Sequence, residues 1–318
     1  MRPLQLTVAI LLVFLRPPAL SSQSGTWSSM APGTDNSQST IQILAPESVQ
    51  PGDPVVVALL GETTSLVVTI RTESGELVAR GSTFFLALTP QFRISCAILG
   101  LATTTLPGQC LVEVVSQAGD LIATRSLMVE SREFRSEEIA LSSSLSDLRE
   151  SEDPRKTDEA RLLQAITAEF NNQAVYHTGP YVWPIPLTRR TSLFGDRRTY
   201  LYADGERAGT IHEGLDLAAP TGTPVVASGS GLVRFSDSRI VTGKTVVIEH
   251  LPGVFSVYYH MDTLSVTGGE LVGVGQTIGT VGATGLATGP HLHWEFRIGG
   301  VRVDPEHVLP GLLVDFDR

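Results

Sequence analysis

The segment from Gly285 to Ile298 places the strongest constraint on what this chain can fold into. Its last eight residues alternate without a break between polar and apolar side chains. Such a period of two predicts a half-buried β-strand. His291 and His293 then project from the same face, where they can serve one metal site as a ligand and a proton-handling neighbour. A His-x-His pair alone also fits two surface histidines, so the rest of the chain has to decide.

The N-terminal part of the sequence predicts export. Arg2 precedes the apolar run Leu4–Leu15, which is short for a membrane span, and small residues that suit a signal peptidase follow it. These features indicate a cleaved secretory signal peptide over residues 1–21, with an uncleaved membrane anchor as the alternative. Residues 22–39 are rich in Ser, Gly and Pro and predict a flexible spacer. The protein is therefore expected in a periplasm, at the cell surface or secreted.

Residues 40–130 have the pattern of a small all-β domain. Short β-rich runs such as Pro54–Leu60 and Leu111–Val115 are separated by turn residues. This spacing, without a convincing helix, predicts an immunoglobulin-like β-sandwich that carries no catalytic constellation. Cys96 and Cys110 are the only cysteines, and in an exported protein we expect them to form one disulfide.

Residues 131–178 predict a helical connector. The pattern becomes polar and helical, with one segment around Glu137–Leu141 and a second over Asp158–Ile166. Asp153 and Pro154 separate the two segments. We interpret the charges of this connector as a solvated face.

A second β-rich domain is expected over residues 179–309, followed by a tail over residues 310–318. His212 and Asp216 lie four residues apart in it. The intervening Gly214 and the prolines that follow make a helix unfavourable, so we expect a turn that leads into a strand. By itself this His-x-x-x-Asp spacing is a weak signal, because it arises often by chance.

A β-hairpin is predicted in the middle of this domain. The runs Thr245–His250 and Phe255–His260 flank a Leu-Pro-Gly turn, which places His260 at the end of the second strand. The glycine-rich stretch Gly268–Gly285 comes close to a dinucleotide-binding fingerprint, but no helix-forming segment follows it. Its glycines are therefore expected to bend tight β-turns.

Five segments of the C-terminal domain carry recognisable motifs. They are Ser192–Arg197, His212–Pro220, Gly222–Val225, Tyr258–Met261 and Gly282–Trp294. In this order they resemble family M23, the zinc metallopeptidases of the lysostaphin or LytM type that act as cell-wall endopeptidases. The resemblance covers about residues 179–309. It implies an antiparallel β-sheet M23 peptidase domain, and hence a mostly β chain in which a helical connector joins two β-rich units.

The resemblance also implies roles for five residues. His212, Asp216 and His293 match the ligands that hold a catalytic Zn²⁺ with an open fourth position. His291 matches the general base that takes a proton from the metal-bound water. His260 matches the group that stabilises the oxyanion. The roles of His260 and His291 could also be exchanged, and the sequence leaves that open.

Other residues near these motifs receive weaker assignments. Arg197 matches a family arginine near the cleft, and Tyr258 precedes His260, so both are candidate substrate contacts. Glu213 and Glu295 flank the ligands, and we interpret them as a solvated face rather than as partners of the ligands. His250, which ends a strand before a turn, is interpreted as a surface residue.

These observations predict an exported zinc endopeptidase that hydrolyses peptide cross-links of peptidoglycan. The alternative is a catalytically silent M23-like module that binds and activates a cell-wall amidase, but all five His and Asp positions are intact. A net charge of -10 argues against a nucleic-acid partner, which would require a basic face. The N-terminal domain is a candidate contact for a partner in the cell envelope.

Overall fold

The computed structural model describes residues 41–60, 64–89, 92–186 and 189–312, with side chains left undescribed at 87–93. The predicted signal peptide and spacer, and most of the predicted tail, lie outside the described residues. The described part is mostly β, with N-terminal sheets, a short helical segment and a C-terminal β-sheet domain. No helix within it is long and apolar enough to cross a membrane.

Two mainly antiparallel sheets form the N-terminal unit. A four-stranded sheet has the order β1-β3-β7-β6, and a five-stranded sheet has the order β2-β9-β8-β4-β5. The strands are β1 (Gln42–Leu44), β2 (Ser48–Val49), β3 (Pro54–Leu60), β4 (Val67–Thr72), β5 (Leu77–Ser82), β6 (Phe84–Thr89), β7 (Phe92–Gly100), β8 (Gly108–Val115) and β9 (Leu121–Val129). The predicted run Pro54–Leu60 is confirmed as β3. An immunoglobulin-like identity stays a prediction.

The four-stranded sheet is apolar on both of its faces. On β3, Val55 and Val57 belong to the core between the two N-terminal sheets. Val56 and Ala58, which point to the opposite face, pack against the core of the C-terminal domain. A continuous run of Val, Ala and Leu is what a strand buried on both faces requires. The N-terminal unit is therefore docked on the C-terminal domain.

The predicted disulfide is wrong, because Cys96 and Cys110 lie in different sheets and are not at disulfide distance. Both are buried free thiols. Cys96 on β7 faces the core shared with the C-terminal domain, whereas Cys110 on β8 lies in the core between the N-terminal sheets. Burial raises the pKa of Cys96 to about 12, so this thiol stays protonated.

The connector is only partly helical. It consists of β10 (Ser136–Ala140), α1 (Ser143–Glu150) and α2 (Pro154–Ala168). The helix predicted around Glu137–Leu141 is wrong, since β10 pairs in parallel with β12 of the C-terminal domain. Glu, Ala and Leu favour helices intrinsically, but a free sheet edge overrides that weak preference. Helix α2 begins one residue after Asp153, whose side chain caps it.

The C-terminal domain is built on a large, mainly antiparallel sheet. Its central path is β11-β14-β21-β18-β17-β16-β19, while β12 and β13 form a smaller sheet with β10. The elements are β11 (Arg189–Ser192), β12 (Arg197–Leu201), β13 (Arg207–Ile211), β14 (Leu215–Ala218), β15 (Pro224–Val226), β16 (Gly231–Arg239), β17 (Gly243–Leu251), β18 (Val254–Leu264), β19 (Leu271–Val272), β20 (Thr277–Val281), β21 (His291–Ile298), β22 (Val301–Val303) and α3 (Pro305–Val308). The strand predicted at His291–Ile298 and the hairpin β17–β18 are confirmed.

The two faces of the central sheet pack against different parts of the molecule. Leu292, Trp294 and Phe296 of β21 enter the apolar core on which the N-terminal unit docks. The opposite face carries the histidines of β21 and is covered further along by α2, whose Leu163 belongs to one apolar cluster with Tyr259. Polar side chains on this second face are therefore buried rather than solvated.

Candidate metal centre

Three potential ligands meet where β14 lies beside β21. Asp216 is the direct cross-strand partner of His293, and His212 precedes β14. Three atoms form a small triangle: His212 Nε2 lies 3.0 Å from Asp216 Oδ1 and 2.9 Å from His293 Nδ1, and His293 Nδ1 lies 2.8 Å from Asp216 Oδ1. All three residues are buried and are the cluster able to hold a metal ion among the described residues.

This triangle fits a tetrahedral metal ion. Zn–N and Zn–O distances of about 2.0–2.1 Å put neighbouring ligands of a tetrahedron ~3.3 Å apart, close to the observed separations. The second nitrogen of each imidazole is engaged: His212 Nδ1 donates to the Leu193 carbonyl at 2.8 Å, and His293 Nε2 donates to Glu295 Oε1 at 3.1 Å. These hydrogen bonds fix the tautomers that leave the triangle nitrogens free to coordinate.

The carboxylates of the site favour positive charge on the imidazole of His293. Burial alone would raise the pKa of Asp216, but His212 and His293 hold it well below its usual range. Burial lowers the pKa of His212, an effect that Asp216 only partly offsets. Burial would also lower the pKa of His293, yet Asp216 and Glu295 raise it to about 9. Two carboxylates thus favour positive charge on one buried imidazole, while two arginines balance the charge of those carboxylates.

Arg198 is a residue of this site that the sequence reasoning missed. Its Nη2 donates to Asp216 Oδ2 at 2.6 Å, and its Nε donates to Glu137 on β10. One oxygen of the ligand carboxylate is thereby held by the guanidinium, while the other faces the histidines. The only available signal was alternation on β12, which turns Arg197 and Arg198 to opposite faces.

His260 and His291 lie beside the ligands without belonging to the triangle. Their rings are 4.8 Å apart, and His291 Nε2 lies 3.6 Å from Asp216 Oδ1. His260 Nδ1 donates to the Thr284 carbonyl and His291 Nδ1 to the Gly289 carbonyl, each at 2.8 Å. In the neutral form of each ring, Nε2 is therefore the nitrogen that carries no hydrogen.

The backbone of His260 is strained, with φ at 59°. This is a left-handed conformation that non-glycine residues rarely adopt. It coincides with a bulge in β18, where Tyr258 to Met261 oppose only Val246 to Lys244. Strand alternation alone would put His260 on the face of Tyr258, and the bulge turns it to the metal side instead.

The structure does not bring the two candidate substrate contacts to the cleft. Arg197 donates to the Thr103 carbonyl at 3.1 Å and lies over the ring of Phe134. Tyr258 is fully buried in the apolar core, where its hydroxyl accepts from the Ser228 amide at 2.8 Å. Its neighbour Tyr259 lies at the site, with its ring stacked on His293 at 5.3 Å.

Glu295 and His250 are not the solvated residues that the sequence suggested. Glu295 is 4% exposed and accepts hydrogen bonds from His293 and from Arg297 Nε, the latter at 2.7 Å. His250 is fully buried, with Nε2 2.7 Å from the Ser256 hydroxyl. Glu213 pairs with Arg302 at 3.1 Å. A regular alternation reveals which face a residue occupies, but not whether another element covers that face.

A cleft of about 430 Å³ opens onto the metal triangle. The histidine pair, Tyr259 and the segment 286–290 line one part of it. The connector also lines it, through Ile139 of β10, Leu141 directly after β10, and Arg149 of α1. The wall of the candidate active site is thus built partly from residues upstream of the C-terminal domain.

Comparisons with known proteins agree with this site. Residues 210–305 match the model of Peptidase family M23, and the C-terminal domain is an M23 peptidase domain. All three ligands and both neighbouring histidines lie within the matched residues.

Two curated relatives align with this part of the chain. The DD-carboxypeptidase/endopeptidase Mpg of Neisseria meningitidis is 42% identical over 125 residues, which cover 39% of this chain and 28% of the relative. The peptidoglycan DD-endopeptidase ShyC of Vibrio cholerae is 40% identical over 125 residues, which again cover 39% of this chain and 28% of the relative. The chain therefore spans only 28% of the length of these relatives.

A solved structure resembles a larger part of the molecule. A crystal structure of a protein assigned to peptidase family M23 from Pseudomonas aeruginosa covers 82% of this chain and 95% of its own, with a TM-score of 0.56 and 25% identity. The similarity includes residues outside the segment that matches the family model, since 82% of the chain exceeds that segment.

Proposed function

We propose that this protein is a zinc-dependent endopeptidase that hydrolyses peptide bonds in the cross-links of peptidoglycan. The observation that carries the proposal is the triangle of His212, Asp216 and His293, with two non-coordinating histidines beside it at the floor of one cleft. A closed structural zinc site would have four protein ligands, whereas three ligands facing a cleft are typical of a catalytic site. The similarity to Mpg and ShyC supports peptidoglycan as the substrate.

His212 Nε2, His293 Nδ1 and Asp216 Oδ1 would hold the zinc ion. When bound, zinc polarises a carbonyl and lowers the pKa of a coordinated water to ~7. Leu193 and Glu295 keep the two imidazoles in the coordinating tautomer. Arg198 keeps the second oxygen of Asp216 occupied, so that this carboxylate presents a single oxygen.

His260 and His291 would handle the proton and the developing negative charge. Both rings line the cleft, and in the neutral tautomer of each ring Nε2 can accept a proton, because each Nδ1 donates to a carbonyl. One of them takes the proton of the attacking water as general base, and the resulting imidazolium gains an N–H that can stabilise an oxyanion. Because the two rings have the same tautomer, the assignment of His291 as base and His260 as oxyanion partner stays a prediction.

The proposed location is the cell envelope, either a periplasm or the cell surface. Peptidoglycan lies there, and residues 1–21 have the pattern of a secretory signal. The N-terminal unit is proposed as the contact for an envelope partner, and an immunoglobulin-like fold is proposed for it.

Digestion of purified sacculi by the zinc-loaded protein tests the function. We expect cross-linked dimers to disappear and monomers to accumulate, as measured by mass spectrometry of the products. Release of intact stem peptides from the sugar would instead identify an amidase. No product beyond that of a chelator-treated control would favour the alternative of a silent module that activates an amidase.

A further inference from the structure

The cleft above the metal triangle is lined by three arginines with different electrostatic surroundings. They are Arg149, Arg198 and Arg302. Arg149 comes from α1 of the connector, Arg198 from β12 and Arg302 from β22. A guanidinium in a cleft either has a carboxylate partner within the protein or is free to receive one from a ligand.

Two of these arginines already have partners. Arg198 is bonded to both Asp216 and Glu137, and it is largely buried. Arg302 Nη1 lies 3.1 Å from Glu213 Oε2, and its Nε lies 3.8 Å from Glu295 Oε2. Their charges are neutralised by the protein, so neither offers an unpaired cation to a substrate.

Arg149 has no carboxylate partner in the described part of the chain, although its side chain is well positioned. Its Nε donates to the Tyr202 hydroxyl at 2.9 Å, and its guanidinium carbon lies 4.3 Å from the centre of the Tyr200 ring. One hydrogen bond and one aromatic face thus fix the half-buried guanidinium, while the two terminal nitrogens carry no hydrogen bond among the described residues. Such a pre-organised fork suits bidentate binding of a carboxylate.

We propose that Arg149 binds a carboxylate of the peptide substrate, so that the connector helix α1 selects cross-link peptides carrying a free carboxylate near the scissile bond. This proposal rests on the proposed peptidase function and adds the chemical class of its substrate. Arg149 lines the cleft and does not belong to the metal triangle, so it is expected to contribute to binding rather than to the chemical step. Arg149 is therefore a specificity residue and not a catalytic one.

The test compares two peptide substrates that differ at one group. One cross-linked peptide retains its free carboxylates, and its counterpart has them converted to primary carboxamides. We expect Arg149→Gln in the full zinc-loaded chain to lower kcat/KM for the carboxylate peptide about tenfold, mainly through KM, and to leave the carboxamide peptide unchanged. Arg149→Lys keeps the positive charge but loses the planar, bidentate guanidinium, so we expect a smaller decrease of kcat/KM for the carboxylate peptide than with Arg149→Gln.

A matched control removes one positive charge elsewhere on the connector. Arg161→Gln lies on α2, where the side chain is 76% exposed and pairs with Asp158. It is expected to leave both substrates unaffected. The proposal is overturned if Arg149→Gln weakens turnover of both peptides equally, if it changes neither, or if Arg161→Gln has the same effect on the carboxylate peptide.

Failure of the proposed function has a different signature. In that case the wild-type chain hydrolyses neither peptide. Calorimetry with wild type and Arg149→Gln then measures binding of the same two intact peptides. A carboxylate preference that the substitution removes supports the role of Arg149, and equal affinities overturn it.

Discussion

At the residue scale, the two oxygens of Asp216 have separate partners. Oδ1 faces the histidines of the triangle, and Oδ2 accepts a hydrogen bond from Arg198 at 2.6 Å. Partners of this kind orient a ligand and tune its charge, and their loss typically lowers metal affinity 10- to 100-fold.

We therefore expect Arg198→Met to lower zinc affinity by roughly tenfold to a hundredfold. Competition with a chromogenic chelator measures the affinity directly, without reference to turnover. Arg197→Met is the matched control, because the neighbouring guanidinium contacts Thr103 and Phe134 rather than a ligand. Wild-type affinity in the Arg198 variant would contradict this role.

The five residues of the site should separate into two groups. Alanine at Asp216 or His293 should remove both zinc and activity, because three protein ligands leave no redundancy. Alanine at His260 or His291 should leave about one zinc per chain and abolish turnover. Elemental analysis of the purified variants measures the metal content, and a zinc-free His291→Ala protein would mean that the division into ligand and base is wrong.

Sequence motifs could predict which residues gather at the metal, but not how their neighbours are oriented. The identities of His212, Asp216 and His293 follow from ordered motifs, and the structure brings them together. The position of Tyr259 in place of Tyr258 depends on how β18 packs, and that of His260 depends on a bulge with positive φ. A backbone irregularity of this kind leaves no period in the sequence.

At the element scale, β17 carries a buried histidine whose protonation should destabilise the fold at acid pH. Burial lowers the pKa of His250 from its ordinary value of 6.5 to about 3. Between these two pKa values the unfolded chain binds more protons than the folded chain. The stability that the neutral His250 contributes to the fold is therefore lost as the pH falls from about 6.5 towards 3. The slope is at most about 1.4 kcal/mol per pH unit for one group.

Replacement by an uncharged residue should remove that slope. We expect His250→Asn to be less stable than wild type at pH 7.5, because it disturbs the bonds to Ser230 and Ser256. Its free energy of unfolding should fall less steeply than that of wild type between pH 6.5 and pH 4.5. Urea denaturation at several pH values measures both curves, and parallel curves would argue against a role for His250.

Period and turn signals predicted some elements well because those elements satisfy them locally. Strand β21 has the predicted bounds, and β17 and β18 pair across the predicted turn. The residues of β10 favour helices intrinsically, so the sequence predicts a helix there. The strand forms instead because it pairs with β12, which lies more than fifty residues later in the chain. Long-range pairing of this kind overrides local preference and cannot be read from the segment alone.

At the scale of the whole molecule, the N-terminal unit and the C-terminal domain share one apolar core. The outer face of β7 contributes Ile94, Cys96 and Ile98 to the core that contains Trp294 and Phe296. The sequence gives a hint of this in the unbroken apolar run of β3, which is typical of a strand covered on both faces. What covers the second face depends on tertiary packing, and for that reason the sequence predicts a disulfide between two cysteines that lie in different cores.

A charge placed in the shared core should uncouple the two units. Ile98 is 7% exposed, so Ile98→Asp buries an unpaired carboxylate or opens the interface, and a loss above about 3 kcal/mol is expected. Met128→Asp is the matched control on an exposed position of β9, at 41% exposure, and should change stability little.

Scanning calorimetry should give one cooperative transition for wild type and the control, and a lowered or divided transition for Ile98→Asp. Because the connector joins the two units in sequence and lines the metal cleft through β10 and α1, the same variant should also lose turnover while the control retains it. An Ile98→Asp protein with the wild-type transition would contradict the shared core.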